Sequence, residues 1–140
     1  DRFVNQGKKH GRYGGWIFDK VLDFCRISPS SVVIHRWVFA ETGLFDEDMR
    51  VCEDYDLWLR LCALFEVGYL DKKLIIKRAL TSDQLSDNIQ HIEYIRAVSL
   101  ARFIKCKKID NLNKLAAVRE LSRKSDIIKN GIKNFSTLDT

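Results

Sequence analysis

The residues best suited to chemistry lie in an acidic stretch that leads into an apolar helical pattern. Six carboxylates fall within the eleven residues from Asp46 to Asp56: Asp46, Glu47, Asp48, Glu53, Asp54 and Asp56. Apolar residues then recur at the i, i+3, i+4 and i+7 spacing of one helix face: Trp58, Leu61, Cys62 and Phe65. We therefore predict a helix that begins at Glu53 and Asp54, where unpaired backbone N–H groups and the helix dipole favour negative charge.

Two interpretations of Glu53 and Asp54 follow from this position. Acidic residues are common in the first turn of a helix, so helix capping accounts for both without any activity, and the residues alone favour it. A carboxylate held at a helix start can also take a proton from a substrate hydroxyl as a general base. Asp56 is predicted to be structural, because it should pair with Arg60 on the outer side of the helix.

A resemblance to a known family supports the second interpretation. The run Gly-x-Phe-Asp-Glu, from Gly43 to Glu47, and the run Cys-Glu-Asp-Tyr-Asp-Leu-Trp-Leu-Arg, from Cys52 to Arg60, resemble the Glu-Asp motif region of family 2 glycosyltransferases. These are inverting enzymes with the nucleotide-sugar-binding GT-A fold. The resemblance implies that Asp54 is the base that deprotonates the acceptor hydroxyl, with Glu53 beside it.

The resemblance extends over about residues 11–135 and fixes the expected organisation. Arg12-Tyr13-Gly14-Gly15, Ile27-Ser28-Pro29-Ser30-Ser31 and an Arg before a short helix occur in the family's order, and Asp83-Gln84-Leu85-Ser86 is similar to a bacterial subgroup. It implies substrate contacts at Ser30, Ser31, Arg36 and Asp46, although Ser30 and Ser31 also fit ordinary turn chemistry and Asp46 fits a turn cap. The expected fold class is α/β, as an α+β fragment: the acceptor-side part of the catalytic domain in residues 1–80 and a helical extension in residues 81–140.

The sequence departs from the family pattern in two places. The β–α–β units that bind the donor, with an Asp-x-Asp that holds Mg²⁺ or Mn²⁺, are not found in the chain, and neither Asp46-Glu47-Asp48 nor Asp54-Tyr55-Asp56 stands where that motif belongs. Thr81 also takes the place of a His that relatives often carry. We therefore expect an excerpt of a longer enzyme that holds no cofactor of its own, is inactive alone, and depends on a nucleotide-sugar donor and a hydroxyl acceptor.

Periodicity predicts mainly helices, with short strands between them. Helices are predicted over residues 16–24 and over residues 37–42 with Gly43 as the stop. A helix of about twenty residues that ends near Cys106 and a helix over residues 112–130 with Gly131 as the stop are also predicted. The last helix should turn four apolar residues inward: Leu115, Val118, Leu121 and Ile128. Strands are predicted at residues 32–36, 67–70 and 74–77 because β-branched and apolar residues cluster there.

Composition limits the classes of partner. The 140 residues carry a net charge of +5, and residues 102–133 hold ten Lys or Arg against three Asp or Glu, which gives +7. This segment has no nucleic-acid recognition signature. The sequence contains no run of about eighteen apolar residues, so no membrane span is predicted. The four cysteines are scattered, which favours reduced thiols in a cytoplasmic protein. Two other functions stay open: a helical interaction module that forms a homodimer through exposed apolar surface, and an adaptor that lies on an anionic membrane surface.

Overall fold

A computed structural model describes residues 11–76 and 92–136, and these ranges are mostly helical. They contain a 3₁₀ turn at Pro29–Ser31 and five α-helices: α1 at Phe18–Val21, α2 at Val38–Thr42, α3 at Glu53–Leu64, α4 at Ile92–Ile104 and α5 at Asn111–Ser136. The helical part of the predicted fold class is therefore confirmed, and α3 begins at the predicted residue. No helix in the described ranges is both long enough and apolar enough to cross a membrane.

Helix α3 is the centre of the core. Tyr55, Leu57, Leu59 and Cys62 are fully buried, and Trp58 is 1% exposed. The buried indole of Trp58 donates its Nε1 hydrogen bond to the carbonyl of Ile27 at 3.0 Å, so its polar atom is satisfied. The prediction that Trp58 packs in the core is thus confirmed, and α3 is buried on more of its circumference than a single apolar stripe would require.

The predicted strands are wrong in the described ranges. Residues 32–36 and 67–76 contain no strand, and the one pairing there is an isolated antiparallel bridge between Gly15 and Val67. Its two hydrogen bonds, Gly15 N to Val67 O at 2.8 Å and Val67 N to Gly15 O at 2.9 Å, do not continue into a ladder. Side-chain type predicted extended backbone at Val32, but a strand also needs a partner at the right distance, which local sequence does not encode. Lys77, Thr81 and Asp83–Ser86 lie outside the described residues.

The short helices before α3 follow the local signals unevenly. Helix α1 has four residues, against the nine predicted, whereas α2 ends where Gly43 predicted. Gly43 has a φ of 76°, a left-handed conformation that favours glycine, and its N–H donates to the carbonyl of Phe39 at 2.9 Å. The stop signal at Gly43 is therefore confirmed.

Helices α4 and α5 pack against each other and against the core. Asp110 opens α5, because its carboxylate accepts the N–H of Asn113 at 2.9 Å and its carbonyl accepts that of Lys114 at 3.1 Å. Gly131 does not end α5, which continues to Ser136; the glycine keeps a negative φ there and costs about 1 kcal/mol relative to alanine.

The inward face of α5 differs from the predicted one. Leu115 and Val118 are 47% and 42% exposed, so their predicted burial is wrong. Ala117 and Lys124 are instead fully buried, and Leu121 packs against the core. The stripe that faces the protein runs through Ala117, Leu121 and Lys124, at i, i+4 and i+7. Because the inward stripe includes the charged residue Lys124, a search for apolar residues alone did not identify it.

Candidate active site

The turn before α3 determines how Glu53 and Asp54 are presented. Cys52 has a φ of 62° and a ψ of 16°, and it is the only described residue other than glycine with a positive φ. The left-handed conformation costs an L-residue about 1 kcal/mol, so the surrounding contacts must hold it in place. The Cys52 carbonyl then accepts the N–H of Asp56 at 3.0 Å, and the helix starts abruptly at Glu53.

Asp54 is partly buried, and its two carboxylate oxygens have uncharged donors. Oδ1 accepts the backbone N–H of Tyr55 at 2.6 Å. Oδ2 accepts the thiol of Cys25, with Sγ at 3.0 Å. No Lys, Arg or His in the described ranges forms an ion pair with Asp54. The carboxylate is therefore held in one orientation without a neutralising cation.

Cys25 can act only as a donor toward Asp54 near neutral pH. Burial raises the pKa of this thiol well above its ordinary value, and the hydrogen bond to the Asp54 carboxylate raises it further. The thiol consequently keeps its proton, which lies between Asp54 and the carbonyl of Ile27, 3.3 Å from Sγ. Twenty-nine residues separate Cys25 from Asp54, and no sequence motif signals this contact.

Glu53 is partly buried at the first position of α3 and has fewer contacts than Asp54. Within residues 11–76 and 92–136 its carboxylate makes no hydrogen bond or ion pair. Cys52 likewise makes no side-chain hydrogen bond that would cap α3. Asp54 accepts one otherwise unpaired backbone N–H, which fits helix capping. Glu53 makes no such contact in the described ranges, and only a favourable interaction with the helix dipole remains for it.

Asp56 and Asp46 have the opposite surroundings, because each is paired with an arginine. The Asp56 carboxylate forms the predicted ion pair with Arg60, with 2.7 Å between Oδ2 and the guanidinium nitrogen. The Asp56 side chain is only 10% exposed, however, so its predicted position on the outer side of the helix is wrong. The reason is that Arg60 also donates to the carbonyls of Thr42 and Leu44, which folds the preceding loop over the pair.

Asp46 accepts Arg102 at 2.5 Å and the N–H of Asp48 at 3.1 Å, so the predicted turn cap is confirmed. Both aspartates line one hollow of about 290 Å³, together with Leu44, Arg60, Arg102, Phe103 and Cys106. Asp54 does not line that hollow. The predicted contact of Asp46 with an acceptor would therefore have to compete with Arg102.

The other predicted substrate contacts lie on exposed loops. Ser31 donates to the carbonyl of Ser28 at 2.8 Å, and the Ser30 hydroxyl lies 3.1 Å from that of Ser28, which is turn chemistry. Arg36 is exposed just before α2. None of these three side chains hydrogen-bonds to Glu53 or Asp54. Their role in binding stays a prediction.

No cluster of three or more His, Cys, Asp or Glu suited to a metal ion occurs in the described part of the chain. In both Asp-x-Asp runs an aspartate is engaged by arginine, Asp46 by Arg102 and Asp56 by Arg60. Each pair engages one carboxylate oxygen, Oδ2 of Asp46 and Oδ2 of Asp56.

Sequence reasoning missed two cationic residues, one on α4 and one on α5. Arg96 on α4 lies beside the thiols of Cys25 and Cys52, where its charge opposes the rise that burial imposes on the pKa of Cys52. Lys124 on α5 is fully buried and donates to the Asp23 carbonyl and to Glu93 Oε2, both at 2.6 Å. The i, i+4, i+7 spacing from Ala117 was the available signal for Lys124.

Neither the comparison with models of protein families nor the searches of curated proteins and of solved structures found a match. The geometry around Asp54 is therefore the basis for a functional proposal.

Proposed function

We propose that this chain is the acceptor-side part of an inverting glycosyltransferase and that Asp54 is its general base. The observation on which this depends is that Asp54 is oriented by a thiol and an amide but has no cationic partner. A carboxylate paired with arginine is a poor proton acceptor, because the ion pair stabilises its charged form. Asp54 forms no such ion pair in the described ranges, and its partners are a thiol and an amide.

The proposed reaction is a single displacement at the anomeric carbon of the donor sugar. The acceptor oxygen forms a bond to that carbon, its proton passes to the Asp54 carboxylate, and the nucleoside diphosphate leaves with the electrons of the broken C–O bond. Cys25 and the Tyr55 N–H hold the carboxylate while the acceptor hydroxyl approaches. Glu53, which has no competing contact in the described ranges, orients Asp54 or binds another acceptor hydroxyl.

The donor site belongs to a different part of the enzyme in this proposal. The nucleotide sugar and its Mg²⁺ or Mn²⁺ ion would bind a GT-A donor half outside these 140 residues, and residues 81–140 would be a helical extension of the acceptor side. The four cysteines are free, which is compatible with the reducing cytoplasm that the proposal assigns to the enzyme.

The replacement Asp54→Asn tests the base assignment in the protein that carries the donor half. Release of nucleoside diphosphate from UDP-, GDP- and dTDP-linked sugars should fall by about 10²- to 10⁴-fold, the usual contribution of a general base. Asp48→Asn is the matched control, because Asp48 is an exposed acid in the preceding loop. A rate near that of the wild type for Asp54→Asn would remove Asp54 from the mechanism.

A second candidate function is a helical oligomerisation module. Helix α5 exposes Leu112, Leu115 and Val118 at 78%, 47% and 42%, and their spacing places them on one side of the helix. Light scattering across a range of concentrations would detect self-association, and Leu115→Lys should abolish it. A chain that stays monomeric at all concentrations would exclude this function.

A further inference from the structure

A second hollow in the described part of the chain has a different character from the first. Its volume is about 540 Å³, and it is open to solvent between the segment after α1 and helices α4 and α5. Its lining residues are Asp23, Phe24, Glu93, Arg96, Arg123 and Ile127. Phe24 directly precedes Cys25, whose thiol contacts Asp54, and Arg96 lies beside the same thiol. The hollow is thus separated from the candidate base by Cys25 and Arg96.

The polar groups of the hollow are held in place before any ligand binds. Arg96 pairs with Glu93 at 2.6 Å, and Asp23 pairs with Arg26 at 2.6 Å. Behind them, buried Lys124 donates to the Asp23 carbonyl and to Glu93. Rigid polar groups lose little conformational entropy when a ligand binds, which is a general property of formed ligand sites.

Arg96 also retains an unused donor. Its Nε is buried and has no hydrogen-bond partner among the described residues. A buried donor without an acceptor costs about 1–3 kcal/mol, so a small shift of this guanidinium toward an acceptor at the wall of the hollow would be favourable.

The balance of charge indicates the class of ligand. The lining holds two guanidiniums, Arg96 and Arg123, and two carboxylates, Asp23 and Glu93, and each of the four already forms an ion pair with an oppositely charged group. A phosphate would gain from the arginines but would be repelled by the carboxylates. A hydroxyl group both donates and accepts, so a neutral polyhydroxylated ligand can use both kinds of partner. Ile127 adds apolar surface suited to the C–H face of a sugar ring, and Phe24 adds the part of its ring that the Arg26 guanidinium, 4.0 Å from the ring centroid, does not cover.

We infer that this hollow binds a neutral sugar unit of the acceptor, adjacent to the hydroxyl that Asp54 deprotonates. The inference rests on the proposed function because it treats the bound sugar as part of the acceptor. The binding of the sugar itself does not require the donor. Helices α4 and α5 then form the acceptor-recognition wall of the site in addition to covering the core.

Nuclear magnetic resonance titration of the full chain with methyl glycosides of glucose, galactose, mannose, rhamnose and N-acetylglucosamine tests this inference. At least one sugar should give saturable shifts of the backbone amides of residues 23, 24, 93, 96, 123 and 127. Inorganic phosphate at matched ionic strength should not shift them in a saturable way. Phosphate binding without sugar binding would make the hollow an anion site and would overturn the inference, as would the absence of saturable shifts with every sugar.

Ile127→Trp is the variant that blocks the hollow, and Val118→Trp is its matched control. Both residues lie on α5 and are 43% and 42% exposed, but Val118 does not line the hollow. Ile127→Trp should weaken sugar binding at least about tenfold, equivalent to roughly 1.4 kcal/mol, whereas Val118→Trp should leave it unchanged. Equal binding by both variants would contradict the assigned location.

Asp54→Asn separates the two proposals. Sugar binding in the hollow should survive this replacement, because Asp54 does not line it. If transfer also survives, the base assignment fails and the sugar site stands. If transfer is lost but no sugar binds in the hollow, the base assignment stands and the sugar site fails.

Discussion

Two sets of acidic residues in the described part of the chain differ in their partners. Asp46, Asp56, Glu93 and Glu120 each contact an Arg or Lys at 2.5 to 2.7 Å. Glu53 and Asp54, at the start of α3, are partly buried and form no ion pair in the described part of the chain. The paired acids tie loops and helices together, whereas Asp54 accepts hydrogen bonds from neutral donors only, the Tyr55 N–H and the Cys25 thiol.

The presence or absence of an ion pair separates acids with a structural role from candidates for a chemical role. Asp54 and Asp56 are two residues apart on the same helix, yet only Asp56 is neutralised by a guanidinium. Burying part of a carboxylate without a cation costs free energy, and such a cost is often retained at functional sites. The comparison indicates a stabilising role for the paired acids, and this role can be tested separately from the chemical role proposed for Asp54.

The largest expected effect is the loss of stability in Asp56→Ala. The side chains of Asp56 and Arg60 are 10% and 21% exposed, and removing the aspartate leaves a mostly buried guanidinium without its carboxylate. We expect unfolding in urea to lose about 3 kcal/mol. Asp54→Ala, the matched control, should lose less than about 1 kcal/mol, because it removes only an interaction with the helix dipole and neutral hydrogen bonds. Similar losses in the two variants would erase the distinction between the groups.

A somewhat smaller loss is expected in Lys124→Met. Lys124 is fully buried and lies between Glu93, Glu120 and the Asp23 carbonyl, but Glu93 and Glu120 keep Arg96 and Arg123 when it is removed. Methionine fills the volume, so the free energy of unfolding should fall by about 2 kcal/mol. Lys129→Met, which removes an exposed pair at 3.9 Å on the same helix, should be neutral. No loss in Lys124→Met would mean that α5 docks by apolar contacts alone.

The smallest effect concerns pH. Burial alone would raise the pKa of Glu93, but hydrogen bonds and charge from Lys124 and Arg96 outweigh it and lower the pKa below 4.5. The same opposition lowers the pKa of Glu120 through Arg123 and Lys124. A lowered folded-state pKa adds stability that is present above about pH 4.5 and is lost as pH falls through the folded-state values.

Urea unfolding measured between neutral and acidic pH checks this prediction. The free energy of unfolding should drop below about pH 4.5 in the wild type and should drop less in Glu93→Gln, which cannot titrate. A curve for Glu93→Gln that is as steep as that of the wild type would show that Glu93 does not contribute to the acid response.

The parts of the fold that the sequence predicted correctly are those with local causes. The start of α3 follows from an acidic first turn, and the end of α2 follows from the left-handed preference of Gly43. The ion pair between Asp56 and Arg60 follows from their four-residue spacing. Each of these depends on residues within one or two helical turns.

What could not be predicted depends on distant partners. The strand predicted at residues 32–36 has no neighbouring strand in the described ranges, and the thiol that orients Asp54 comes from Cys25, 29 residues earlier. Gly131 resembled a stop signal, yet α5 continues to Ser136 through this exposed glycine, at a cost of about 1 kcal/mol relative to alanine. The conformational preferences of neighbouring residues do not determine which distant segments pack against each other.

The contact between Lys124 and the carbonyl of Asp23 also has a consequence for the order of folding. It joins residues 101 positions apart, so the chain must close a long loop before the contact can form. The contacts between α4 and α5 are far more local and can form earlier. A contact made late, after the rate-limiting step, slows unfolding more than it speeds folding. Lys124 would then determine how long α5 stays docked against α4 and the Asp23 carbonyl before the helix opens to proteases.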